Sequence, residues 1–197
     1  MKNERTKDGI SETHVRGVGL KRGIVQIVAY RSEWKDIFSS EAERIKEFAG
    51  DINLQVEHIG STSVKGLIAK PIIDIAIGVG SKKDILTLVR RLSDAGYLDH
   101  GDQHGSGGYL VIRESEPGVR VLHIHIVENT DVQWQNYLAF RDCLRNDKRV
   151  RNAYARLKKS LAQKFPEDRK SYTDGKDDFV KQVLLKISEL TSQQLSI

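Results

Sequence analysis

The sequence predicts an α/β (α+β) chain: a mixed β-sheet flanked by helices, followed by a helical C-terminal part. Three observations lead there. Two apolar, β-branched segments near the middle, VEHIG and PIIDIAIGV, alternate with helix-period stretches. A second pair, YLVIRE and VRVLHIHIVE, is separated only by a Glu-Pro-Gly turn and reads as an antiparallel hairpin. From Asp131 onward the apolar residues recur at helical spacing almost to the end. Interleaved strands and helices followed by helices alone give a sheet with helical cover and a helical extension.

The elements follow in order. Gly23 to Tyr30 reads as a short strand or an extended lead-in. Ser32 is placed to cap a helix on which Trp34, Ile37, Phe38, Ala42, Ile45 and Phe48 share a face, and Gly50 ends it. Ile52 to Gly60 alternates as a strand. A Gly-Ser-Thr-Ser loop leads to a second, more deeply buried strand over Pro71 to Val79. Lys82 to Ala95 is an amphipathic helix, stopped by Gly96. A glycine-rich stretch, Gly101 to Gly108, precedes the hairpin. Three further helices are expected, carrying Tyr137 and Leu144, then Tyr154 and Leu161, then Phe179 and Leu190.

Composition narrows the class. A hydrophobic fraction of 39% in 197 residues supports a real core. Residues 1–22 are expected to form a flexible polar tail, and 23–197 a single domain whose helical part begins near 131. Cys143 is the only cysteine, so an internal disulfide is excluded. No apolar run reaches the ~18 residues of a membrane helix, and the N-terminus lacks a signal-peptide core. A cytoplasmic protein with no membrane partner is expected. The net charge of +5 is modest, and basic residues gather late in the chain without interleaved aromatics. Nucleic acid is therefore not favoured as a partner, and small phosphorylated ligands are.

The chemistry concentrates in VEHIGSTSVKGLIAKPIIDIAIGV, Val56 to Val79. Gly60 lets backbone approach a phosphate, Ser61, Thr62 and Ser63 offer hydroxyls and amides, and Lys70 stands at the entry of the next strand. The plainer role of the hydroxyls is to satisfy the turn itself. Asp74 lies between two isoleucines, so it needs a specific partner. His123 and His125 are two apart on a strand and share a face. With Asp74 they would suit a divalent metal (Mg, Mn or Zn) and supply the catalytic groups. A merely polar sheet face is the competing reading. Of Glu57 and His58, one should share the face of Asp74. Arg141 would either clamp a phosphate or pair with the adjacent Asp142. Tyr154, Lys158 and Lys176 read first as solvated helix residues.

The layout of a Gly-Ser loop before a strand carboxylate is that of polymerase-beta-type nucleotidyltransferases. These have a second carboxylate two residues on, where this chain has Ala76. The chain also resembles the GrpB family from about Ile24 to Val180. The resemblance rests on VAYRSEWKDIF, HIGSTSV with AKPIIDI, LHIHIVE, FRDCLR, and Tyr172 with Gly175-Lys176. It implies a nucleotidyltransferase-like sheet, and it makes the single Asp and paired His a family pattern. Two functions stay open. One is a metal-dependent nucleotidyl or phosphoryl transferase acting on a small acceptor. The other is a noncatalytic nucleotide-binding module or folding partner for another protein, as the resemblance to domains fused to dephospho-CoA kinase implies.

Overall fold

A computed structural model describes residues 17–103 and 108–194. Its elements are β1 (Leu20–Lys21), α1 (Glu33–Ala49), β2 (Leu54–Ile59), β3 (Ile73–Val79), α2 (Lys82–Asp94), β4 (Leu98–Asp102), β5 (Tyr109–Glu116), β6 (Val119–Glu128), α3 (Val132–Asn146), α4 (Lys148–Lys164), α5 (Arg169–Asp174) and α6 (Asp177–Gln194). The strands form one mixed sheet in the order β2-β3-β6-β5-β4, with β1 paired to the start of β6. Only the β3–β6 pairing is parallel, and it requires the long crossover through α2, β4 and β5.

The two faces of the sheet carry different cargo. Ile73, Ile75, Ile77, Ile124 and Ile126 are fully buried against α1 and α2, together with Trp34, Ile45, Leu88 and Leu92. The residues between them, at 74, 76, 123 and 125, point the other way because strand side chains alternate. On that second face Ala76, Ile59 and Val127 pack with Trp134 of α3. Residues of α3, α4 and α6 complete a further cluster, in which Tyr154 lies between Phe140 and Phe179.

Several local expectations change. Gly23 to Tyr30 is the extended lead-in, held by one bridge between Val28 and Ala69. Ser32 does not cap α1: its hydroxyl donates to Glu33, and its backbone is already helical. Ser81 does cap α2, accepting from the amide of Asp84. Residues 17–22 are tied in, since Gly19 donates to Pro71 and β1 pairs with β6; residues 1–16 lie outside the described residues, as do 104–107 of the glycine-rich stretch. Three elements depart from the expected order: β1 lies in the expected tail, β4, LDHGD, is a polar, largely exposed edge strand with an irregular register, and α5 is a six-residue helix. Among the described residues no helix is long and apolar enough to cross a membrane.

Candidate functional site

At the N-terminal end of β3 the loop that follows β2 packs tightly against the strand. Gly60 ends β2 at φ 66°, and Ser61–Ser63 form one tight turn before the chain crosses to β3. A methyl group on Gly60 would lie 2.4 Å from Oδ2 of Asp74 and 2.9 Å from its Cβ. Glycine is thus required twice, for the left-handed backbone and for the space. Ile59 stands opposite Asp74 in the antiparallel register, and His123 stands beside it in the parallel one.

A cavity of about 440 Å³ opens over this point, within the usual size range for small-molecule sites. Its floor is Gly60, Ser61, Thr62, Asp74, His123 and His125, and its roof comes from α3 to α6. Of the expected site residues, these and Lys70 are brought together. Ser63 is turned away: its hydroxyl donates to the Gly60 carbonyl at 2.7 Å, the plain turn role. Arg141 also lies outside the lining. Its guanidinium donates to Glu57 at 2.5 Å and to both oxygens of Asp142 at 2.7 and 3.1 Å. The Arg–Asp pair is formed, and the phosphate clamp is not. Glu57 shares the sheet face of Asp74. His58 instead points to the opposite face, stacked on Phe38 with ring centroids 4.7 Å apart and sharing a hydrogen bond with Thr62.

The partner of Asp74 is His123. Nδ1 of the imidazole lies 3.1 Å from Oδ1 of the carboxylate, and Nε2 lies 2.8 Å from a guanidinium nitrogen of Arg169. Since arginine only donates, the tautomer that satisfies both bonds carries its proton on Nδ1 and a lone pair on Nε2. The ring is neutral: burial pushes its pKa down to about 4 against the pull of Asp74. For Asp74 burial works against the charge, yet the His123 hydrogen bond and the fields of His123, His125 and Lys70 hold it at about 2. The carboxylate orients the imidazole as a general base requires, but the Nε2 lone pair is occupied by Arg169. His125 lies over the ring of Tyr137, with centroids 5.3 Å apart.

Basic groups dominate the rest. Lys158 is 2% exposed and donates to Ser61 Oγ at 2.8 Å and to the carbonyl of Ile68. It therefore fastens the Gly-Ser loop to α4. Lys70 and Lys176 sit over the same Tyr172 ring, 5.1 and 4.8 Å from its centroid. Burial is the main cause that brings Lys70 and Lys158 down to about 7, and it lowers Lys176 too. Arg120 and Arg169 complete the lining, and Nη1 of Arg169 is buried with no hydrogen-bond partner among the described residues. Of the two roles open to Lys158 and Lys176, a solvated helix face or closure over the cleft, the structure has the second; Arg120 and Arg169 carry no signal in the sequence.

The expected metal triad of Asp74, His123 and His125 is not assembled. Among the described residues no group of three His, Cys, Asp or Glu side chains is arranged to hold a metal ion. His123 has both ring nitrogens engaged, and Ala76, fully buried, offers no ligand atom at the second carboxylate position. Five basic side chains beside one carboxylate would repel a divalent cation. These residues do not fit a protein-held metal.

Comparison with known proteins bears on the family and the fold. The sequence profile of the family described as GrpB protein matches residues 24–186. The glutamate-rich protein GrpB of Alkalihalophilus pseudofirmus is 35% identical over 170 residues, covering 85% of this chain and 98% of that one. The crystal structure of conserved protein GrpB from Enterococcus faecalis superposes with a TM-score of 0.75 at 33% identity, over 84% of this chain and 99% of that one. A dephospho-CoA kinase of Mycolicibacterium paratuberculosis is 28% identical over 182 residues, 80% of this chain but only 44% of that protein. The Cid1 poly(U) polymerase with Mg 3'-dATP bound shares the fold, with a TM-score of 0.50 at 14% identity over 75% of this chain and 49% of that one.

Proposed function

Because the chain belongs to the GrpB family, on a fold shared with nucleotidyltransferases, we propose that it binds a nucleotide or similar small phosphorylated ligand in the cavity over Asp74 and transfers its nucleotidyl or phosphoryl group to a small acceptor. One observation carries this reading: a Gly-Ser phosphate loop, a strand carboxylate with its imidazole, and a set of basic side chains meet in one cavity of ligand size. The phosphates would rest on the amides and hydroxyls of Gly60, Ser61 and Thr62 and on Lys70, Lys158, Lys176 and Arg169. His123, oriented by Asp74, would take the proton of the acceptor hydroxyl at Nε2 once the phosphates draw Arg169 away from that nitrogen. Residues 23–197 would act as one domain, and a cytoplasmic location suits such a ligand.

A second reading is supported by Ala76. A buried methyl where a carboxylate would complete the usual catalytic pair favours a noncatalytic nucleotide-binding module, and the partial match to a dephospho-CoA kinase suits a partner of that kind.

Thermal-shift measurements with ATP, GTP, CTP and CoA test the shared part. A ligand at about 100 times its Kd should add roughly 3 kcal/mol, a rise of roughly 5–10 °C for a domain of this size. The charge reversal Lys70→Glu should remove that rise. Absence of a shift with every one of these compounds would defeat both readings. Turnover that His123→Gln abolishes, with binding retained, selects the transferase; binding without turnover in the unsubstituted protein selects the module.

A further inference from the structure

We propose that the cavity takes a ligand with at least two linked phosphates and neutralises them with the chain's own lysines and arginines, in place of protein-held divalent ions. This rests on the phosphoryl-ligand reading above and specifies how that ligand is held.

The distribution of charge is the first argument. Lys70, Lys158, Lys176, Arg120 and Arg169 line the cavity, and Asp74 is the one acid among the lining residues. Asp74 is already engaged with His123. Glu57, on the same face of the sheet, is engaged with Arg141 outside the lining, and Glu114 stands 4.0 Å from Arg120. These acids leave Lys70, Lys158, Lys176 and Arg169 without a balancing charge. A single phosphate, with at most two charges, would leave most of it uncompensated. A pyrophosphate unit brings three or four and matches it.

The placement of the cations is the second argument. Lys70 and Lys176 lie against one tyrosine ring, 5.1 and 4.8 Å from its centroid. Two ammonium groups on one ring repel each other, and the ring quadrupole compensates only part of that. Nη1 of Arg169 is buried and lacks an acceptor among the described residues. A buried donor without an acceptor is costly, and phosphate oxygens arriving over Tyr172 would relieve both defects. The depressed lysine pKa values agree, because an anion between the ammonium groups restores their charge.

The third argument is the sign expected of Asp74. In a metal-dependent transferase the strand carboxylate attracts the metal–phosphate complex, and its loss abolishes binding. Here the carboxylate would oppose the incoming phosphates, so neutralising it should strengthen them.

The test is isothermal titration calorimetry with inorganic pyrophosphate, ATP and AMP, in EDTA and in MgCl2. Expected is binding of pyrophosphate and ATP in EDTA at least as tight as with magnesium, and AMP weaker by about tenfold or more. Asp74→Asn, nearly isosteric, should tighten pyrophosphate by about threefold to tenfold, and Lys176→Met should weaken it by about tenfold. Circular dichroism melts confirm that both variants fold; Lys158 is avoided because it fastens the loop. Binding that requires magnesium and disappears in Asp74→Asn would overturn the proposal while leaving the phosphoryl-ligand reading intact. Unchanged affinity in Lys176→Met would overturn it as well. No binding of any probe in either buffer would defeat both.

Discussion

Replacing Lys158 by methionine should change how stability depends on pH. The ammonium is 2% exposed, hydrogen-bonded to Ser61 and Ile68, and 4.8 Å from the Tyr154 ring. Its folded pKa lies at about 7, mainly through burial, against an ordinary value of 10.5. Between these values the unfolded chain holds a proton that the folded chain releases. Folding is therefore favoured as pH rises, by about 1.4 kcal/mol per pH unit for each such group. From pH 7 to pH 9 one lysine contributes roughly 2–3 kcal/mol. Below pH 7 both states are protonated and the dependence ends. Lys70, also at about 7, contributes in the same sense, so the unsubstituted protein should gain stability across this window. Lys176, lowered in the same direction, adds to it, and Lys158→Met should lose the roughly 2–3 kcal/mol share of its own lysine. Urea unfolding at pH 7, 8 and 9 measures both slopes. Equal slopes in the two proteins would refute the reasoning, since they would mean that Lys158 keeps its ordinary pKa in the fold.

Other outcomes follow from the same geometry. Gly60→Ala forces an alanine to φ 66° with its methyl 2.4 Å from Asp74; a loss of about 2–4 kcal/mol is expected in chemical unfolding. Ser81→Ala should cost about 1 kcal/mol by removing the α2 cap, whereas Ser32→Ala, which removes no cap, should stay within about 0.5 kcal/mol; parallel thermal melts compare them. Arg113→Leu removes the cation 2.6 Å from the buried Glu41 carboxylate and leaves the Tyr97 hydroxyl as its remaining partner. It should cost about 3–5 kcal/mol at neutral pH, read by urea unfolding, without altering ligand affinity.

What could be read in the sequence divides along physical lines. Period-two patterning announced β2, β5 and β6, and an apolar run announced β3; the spacing of His123 and His125 placed both on one face, because strand alternation is a local rule, whereas Asp74 joins them through the β3–β6 register. The elements that went unseen have weak local signals. LDHGD pairs only along one edge and buries little, and α5 is too short for a period to appear. The site shows the same division. Its floor lies on strands and was legible; its roof depends on how helices fold back over the sheet. Arg169 reaches His123 across 46 residues, and Lys158 reaches Ser61 across 97. Nothing in a seven-residue window distinguishes Lys158 from a solvent-facing lysine. Arg141 failed as a phosphate clamp for a like reason: Glu57, 84 residues earlier, reaches it first.

The Lys158 tether to Ser61 has a consequence for synthesis on the ribosome. The sheet that carries Asp74 and His123 is complete once residue 128 has emerged, but the tether forms only after α4 has followed, and Arg169 and Lys176 come later still. Until then a newly made chain has the floor of the cavity open to solvent and no enclosure over it. The enclosure is thus assembled late and in steps, and an anion bound there would act as a rivet between earlier-made and later-made portions of the polypeptide.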